Sequence, residues 1–240
     1  MRSFFKASAA VFLLSLSAGV HEGQAASILF KASMDNGFTL SNGTTMLPVG
    51  SLVRLGSFNL TDSVIAQNQD NVAFLAQNFV EFGNARIGDG VGGAAGYFQK
   101  TSSADPNPVG PGHPNGLNLA NKQVYLWLFA SSDNSSVAQS ILTANHIGIF
   151  YLPFALDVDW QFPLDPDGVP VSTSLDISDL TTAPGTLNAS AEVVVGSETL
   201  TAAGGTLNSP NFALHFVPEP SAATAVIASI GLLALRRRRR

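Results

Sequence analysis

Cysteine is absent from this chain of 240 residues, and charged residues make up only 12% of it. Without a thiol the chain can form no disulfide, zinc–thiolate site or iron–sulfur cluster, and it has no thiol nucleophile. Its stability must therefore come from packing and hydrogen bonds. The hydrophobic share of 45% is enough for a sizeable core and argues against disorder throughout the chain.

Basic side chains are scarce in the middle of the chain. Seven of the twelve lie in the terminal segments, and none occurs between Lys122 and Arg236. Residues 26–217 carry fifteen acidic side chains against five basic ones, which is a formal charge of −10. Because phosphate binding needs clustered Lys and Arg, we expect no nucleic-acid partner; cations or neutral polymers suit this surface better.

The residue sets of common hydrolytic mechanisms are also missing. The chain after residue 25 offers three histidines, His113, His146 and His215, and none lies in a G-x-S-x-G or H-E-x-x-H context. We interpret His113 as an exposed loop residue and the other two as hydrogen-bonded positions in strands. We therefore predict that the protein is not an enzyme, and we assign no catalytic residue and no cofactor.

Two acidic pairs remain as candidates for chemistry. Asp157 and Asp159 are two residues apart in a predicted strand and would project from one face, and Asp165 and Asp167 follow in a D-P-D-G turn. Such a cluster can hold calcium or act as the acid and base of a glycosidase. The sequence shows neither a complete calcium-loop spacing nor the surroundings of a catalytic acid, and solvated carboxylates at a strand end are the simpler interpretation. No metal ligand is assigned.

The N-terminal segment has the three parts of a secretory signal peptide. MRSFFK supplies positive charge, ASAAVFLLSLSAGV supplies an apolar core, and Gly23 and Ala25 occupy the −3 and −1 positions of a cleavage site. We expect export through the Sec machinery and cleavage by signal peptidase between Ala25 and Ala26. An N-terminal membrane anchor is the alternative, but the apolar core is short for a span.

The C-terminal segment combines a proline motif, an apolar stretch and an arginine cluster. As a helix the apolar stretch 221–235 would be about 22 Å long, short of the ~30 Å hydrocarbon core, and local thinning of the membrane could close the gap. Arginines that flank such a span stay on the cytoplasmic side. The motif consists of Val217, Pro218, Glu219, Pro220 and Ser221, and the cluster of Arg236, Arg237, Arg238, Arg239 and Arg240.

This order of features resembles the PEP-CTERM sorting signal, and the resemblance covers only about the last two dozen residues. It implies a Gram-negative bacterium in which an exosortase, a membrane cysteine transpeptidase, recognises the Pro-Glu-Pro region, removes the helix and passes the protein to the surface. It also implies a link to exopolysaccharide and to biofilm matrix. A permanent tail anchor is the alternative interpretation of the same segment.

The body consists of short β-rich segments separated by turns rich in Gly, Pro and Asn. The segment QVYLWLF is apolar on both faces, as expected of a strand that is covered on both sides, and we predict that it forms the centre of the core. One helix is predicted within 62–80, from the cap-like Thr61 and Asp62 and from four apolar residues at spacings of three and four, Val72, Leu75, Phe79 and Phe82.

These patterns predict a mainly β protein with a single two-sheet β-sandwich-like domain and one or two short helices. The domain would span 26–217, between a signal peptide at 1–25 and a sorting signal at 218–240 that carries a C-terminal hydrophobic helix. The proline motif lies across the last boundary.

The two ends and the body together predict an exported surface or matrix protein with a non-catalytic body that is polysaccharide-associated or structural. A secreted polysaccharide-active enzyme and a permanently tail-anchored protein are the alternatives. The expected partners are the exosortase, signal peptidase, the Sec machinery and, before processing, the inner membrane, with extracellular polysaccharide as a further candidate. The expected final location is the cell surface or the extracellular matrix.

Overall fold

The computed structural model describes eight stretches of the chain: 26–32, 37–104, 119–162, 172–176, 181–183, 186–187, 192–199 and 211–218. The structure is mainly β, with 45% strand and 16% helix, which confirms the predicted class. The predicted signal peptide, His113, the pair Asp165 and Asp167, and the sorting signal beyond Pro218 lie outside the described residues.

The described residues contain fourteen strands, three short α-helices and one 3-10 helix at Val158–Trp160. The helices are α1 (Asp62–Gln67), α2 (Val72–Gln77) and α3 (Val137–Leu142). The strands are β1 (Ala26–Ala32), β2 (Phe38–Thr39), β3 (Leu52–Phe58), β4 (Phe79–Arg86), β5 (Phe98–Ala104), β6 (Tyr125–Ser131), β7 (Ala144–Tyr151), β8 (Ser172–Asp176), β9 (Thr181–Ala183), β10 (Thr186–Leu187), β11 (Glu192–Val195), β12 (Ser197–Thr199), β13 (Asn211–Ala213) and β14 (His215–Phe216).

An antiparallel sheet of six strands organises the molecule. Its strands follow the order β11-β7-β6-β3-β4, and β14 also pairs with β7. Strand β6 lies at the centre, and its residues 125–130 are all buried. The prediction that QVYLWLF forms the centre of the core is therefore confirmed, and the reason is that protein covers both faces of this strand.

Smaller sheets and aromatic rings cover one face of the large sheet. Phe150 of β7 packs against Phe38 of β2 and Phe212 of β13, with ring centroids 5.6 and 5.3 Å apart. Phe38 in turn stacks on Phe98 of β5, and Phe98 contacts Phe30 of β1. The smaller sheets have the strand orders β5-β1-β8, β12-β13-β2 and β10-β9.

Helices α1 and α3 lie over the opposite face. Tyr125, Trp127 and Ser131 alternate along β6 and therefore point to the same side. The Tyr125 hydroxyl donates to Asp62 of α1, and the Ser131 hydroxyl donates to the carbonyl of Ser140 in α3. Protein therefore covers the apolar β6 residues on both faces of the sheet, which is why the sequence of this strand is continuously apolar.

The prediction of a single helix within 62–80 is wrong in two respects. The region forms two short helices, and Phe79 and Phe82 belong to β4, which pairs with β3. Helix α2 begins after Asn71. The Asn71 side chain accepts a hydrogen bond from the backbone N–H of Phe74 and so caps the helix. The pairing of β4 with β3 shifts register between Leu55 and Gly56 and skips Phe82, so an irregular strand breaks the alternation and the spacing of three between the two phenylalanines imitated a helix.

The number of helices also differs from the prediction of one or two, because α3 makes a third among the described residues. Ser136 is its N-cap, and the Ser136 side chain accepts the N–H of Gln139 at 3.1 Å. With only six residues, α3 is too short for a convincing helical period in the sequence. Its stability comes from packing against β6 and α2.

Candidate functional site

The last described residues of the chain lie beside the first residues of β7. Strand β14 pairs with β7 through His146 and Ile147, and the N–H of Val217 donates to the carbonyl of Asn145 at 2.8 Å. Val217 is only 5% exposed, whereas the next residue, Pro218, is exposed. These are the two residues of the predicted processing motif that the structure describes; Glu219, Pro220 and Ser221 lie outside it.

A groove with a volume of about 970 Å³ opens at this point, between α2 and α3. We call it the exit groove. Most of its described lining residues are apolar and come from three separate parts of the chain. They are Asp70, Asn71, Val72, Ala73, Ser132, Ala138, Ile141, Leu142, Thr143, Ala144, Val217 and Pro218.

Hydrogen bonds fix the α3 wall of the exit groove to the large sheet. Arg86 of β4 donates from Nη1 to the hydroxyl of Ser140 at 2.8 Å and to the carbonyl of Gly50 at 3.0 Å. The hydroxyl of Thr143, which follows α3, donates to the carbonyl of Gln139 at 2.8 Å. A short helix that would be unstable alone is thereby held in one position.

Two histidines lie near the exit. His215 Nε2 is 2.8 Å from the Asp70 carboxylate at the rim of the exit groove. His146 contacts Asn145 through Nδ1 at 2.9 Å and Ser41 through Nε2 at 3.1 Å. Burial lowers the pKa of His146, and the nearby His215 lowers it further. Both histidines lie in strands with hydrogen-bond partners, as predicted, and the partner of His146 Nε2 is the hydroxyl of Ser41.

A cluster of two tyrosines and one carboxylate lies at the other end of the large sheet. Tyr125 and Tyr151 donate to the two carboxylate oxygens of Asp62, at 2.9 and 2.6 Å, and their ring centroids are 4.8 Å apart. Burial, reinforced by Asp62, raises the pKa of both hydroxyls. Each tyrosine therefore stays protonated as a donor to Asp62, and the cluster attaches the first turn of α1 to the sheet.

A buried cation lies inside the large sheet, under the helices. Arg54 of β3 is only 7% exposed, forms an ion pair with Glu81, and stacks over Phe79 and Trp127 at 4.5 and 5.3 Å from the ring centroids. Asn84 donates to the other oxygen of Glu81 at 2.7 Å. Burial lowers the pKa of Arg54, and Glu81 opposes that shift. The charge is already paired, so the cluster fits a structural role.

The prediction that Asp157 and Asp159 project from one face of a strand is wrong. Asp157 is the N-cap of the 3-10 helix and accepts the N–H of Asp159 at 2.9 Å, while Asp159 accepts the hydroxyl of Thr173 at 2.7 Å. Local carboxylate–backbone bonds of this kind favour turns and caps over strands. Within the described residues, no three His, Asp or Glu side chains group together as a metal site would require.

The sequence did not lead us to predict the exit groove. The spacing of Val137 and Ile141 after the cap residue Ser136 was a weak signal for α3, which forms one of its walls. None of the helices in the described part of the chain has the length and apolarity needed to cross a membrane. Comparison of the chain with protein families, curated proteins and solved structures finds no match. The site must therefore be interpreted from its own geometry.

Proposed function

We propose that this protein is an exported surface or matrix protein that an exosortase processes at its Pro-Glu-Pro segment. One observation carries the proposal: the motif around Glu219 is followed first by the apolar stretch 221–235 and then by five arginines, in a chain that opens with a signal-like segment. The apolar stretch would hold the exported body at the inner membrane until cleavage.

The contacts of the residues just before Glu219 support this proposal. Val217 is the last buried residue of the described chain, and its N–H donates to the carbonyl of Asn145. A cut after Pro218 would leave every described strand and helix and the described part of the core intact.

We further infer that the body is a two-layer β-sandwich that serves as a binding or structural module and not as an enzyme. The contacts of Phe150 with Phe38 and Phe212 support a second layer built from the smaller sheets. The formal charge of −10 on residues 26–217 suits a neutral glycan better than an anionic one. The tyrosine cluster attaches α1 to the sheet, and the Arg54 charge is paired with Glu81, so both clusters fit structural roles.

Intact mass of the protein from its native host tests the sorting proposal. We expect a mature chain that begins at Ala26, ends close to Pro220 and lacks the arginines. Glu219→Gln should leave unprocessed precursor that still contains Leu235, whereas Glu192→Gln, at an exposed position of the body, should be processed like the wild type. Recovery of peptides that reach Leu235 from the wild-type surface form would contradict the proposal and favour a tail anchor.

A pull-down with polysaccharide purified from the same host tests the role of the body. A binding module should retain the glycan and leave its chain length unchanged, as measured by size-exclusion chromatography. Shortened chains would identify an enzyme instead. Absence of both retention and shortening would leave the structural spacer as the function of the body.

A further inference from the structure

The distance between the folded body and the apolar stretch is short. Three Cα–Cα steps separate Pro218, the last described residue, from Ser221, where the apolar stretch begins. Whatever conformation the intervening residues adopt, three steps span at most about 11 Å. The lipid headgroup layer is itself about 5–8 Å thick on each side of the bilayer. In a membrane-held precursor the exit groove must then lie at the membrane surface.

The apolar stretch is too short to let the folded body lie away from the membrane. As a helix, fifteen residues would span about 22 Å, which is less than the ~30 Å hydrocarbon core. A short span is accommodated by thinning of the bilayer and by flanking residues drawn toward it. Both responses bring Pro218 closer to the headgroups.

The surface at this end of the sheet suits such a contact. Leu142 on the lip of the exit groove is 77% exposed, and Phe216, two residues before Pro218, is 51% exposed. Large apolar side chains at the level of the headgroups gain by burial in that layer. Asp70, the titratable residue among the described lining, is already paired with His215.

We propose that the α2–α3 face, with the exit groove and Leu142 at its centre, lies against the lipid surface in the unprocessed chain. The partner is the bilayer that holds the chain's own apolar stretch, and the inference rests on the proposed function. Cleavage after the proline motif would release this face from the membrane and expose Leu142 and Phe216.

The opposite end of the large sheet provides a matched reference position. Strand β7 runs from Ala144 in the exit groove to Tyr151, a distance of about 24 Å for an extended strand. Val158, in the segment that follows β7, is 73% exposed and is therefore as accessible as Leu142. A residue there should stay beyond the headgroup layer while Leu142 contacts it.

The absence of native cysteine makes the test simple, because single cysteines can be labelled without background. The full chain with Leu142→Cys, Val158→Cys or Leu232→Cys is labelled with bimane and reconstituted in vesicles of phosphatidylethanolamine and phosphatidylglycerol. The vesicles contain a lipid with a nitroxide either on the headgroup or deep in the acyl chain. Quenching of the bimane reports which layer each position contacts.

We expect the acyl nitroxide to quench position 232 and the headgroup nitroxide to quench position 142 several-fold more than position 158. Inserting about ten Gly and Ser residues after Pro218 should reduce quenching at 142 to the level at 158 and leave 232 unchanged. If 232 is quenched while 142 and 158 behave alike, the orientation is wrong and the sorting proposal stands. If 232 is not quenched, the membrane step of the proposed function fails, and the orientation fails with it.

Discussion

Truncation of Trp127 tests whether the centre of the core has been placed correctly. The Trp127 side chain is 0% exposed and packs on Phe58, Phe79 and Phe129, with ring centroids 5.2, 5.2 and 4.6 Å away. The Arg54 guanidinium also lies over its ring. Trp127→Ala would remove all these contacts at once and leave a cavity between rigid rings that cannot collapse into it.

Substitutions of this kind cost about 3–5 kcal/mol of unfolding free energy. In a domain of this size that corresponds to a fall in Tm of roughly 6–20 °C, out of a total stability of about 5–15 kcal/mol. Trp127→Phe should cost clearly less, because it keeps a ring and because Trp127 Nε1 has no hydrogen-bond partner among the described residues. The order of the two variants thus follows from the structure.

The assay is urea unfolding of the processed protein. Unfolding is monitored by circular dichroism, so the readout does not depend on the tryptophan that is replaced. Val158→Ala is the control, since a change at this exposed position should alter the unfolding free energy by no more than about 0.5 kcal/mol. If Trp127→Ala is no more destabilising than Val158→Ala, the ring is not in the core and the assignment of β6 to the centre of the sheet is refuted.

Two further predictions concern the polar clusters. Because burial and Asp62 raise the pKa of Tyr125, its protonated form stabilises the fold below pH ~10, and the unfolding free energy should fall as pH rises above that value. Tyr125→Phe should make that fall shallower in a pH series of urea unfolding, and an unchanged slope would contradict the assignment. Glu81→Gln should destabilise by about 1–3 kcal/mol, because it leaves the buried Arg54 charge without its counter-charge. A Tm equal to that of the wild type would show that Arg54 finds another partner.

The sequence by itself determined the class of the fold and the position of its centre. QVYLWLF is apolar at both odd and even positions, and such a strand is stable only where protein covers both of its faces. The helix prediction failed at Phe79 and Phe82 because a register shift in β4 breaks the alternation that would have indicated a strand. Asp157 and Asp159 were wrongly placed in a strand because that prediction used only the alternation of residues. Local carboxylate–backbone hydrogen bonds, which alternation does not reveal, determine the conformation of this segment.

Only the tertiary structure decided which distant residues share a site. The walls of the exit groove come from 70–73, from 132–144 and from the chain after β14. The sequence pattern of each segment does not indicate that it contacts the other two. The Arg54–Glu81 pair and the Asp62 cluster likewise join residues 27 and more positions apart. Local sequence encodes the propensity and polarity of each segment, whereas strand register and the packing of helices on a sheet determine which segments meet.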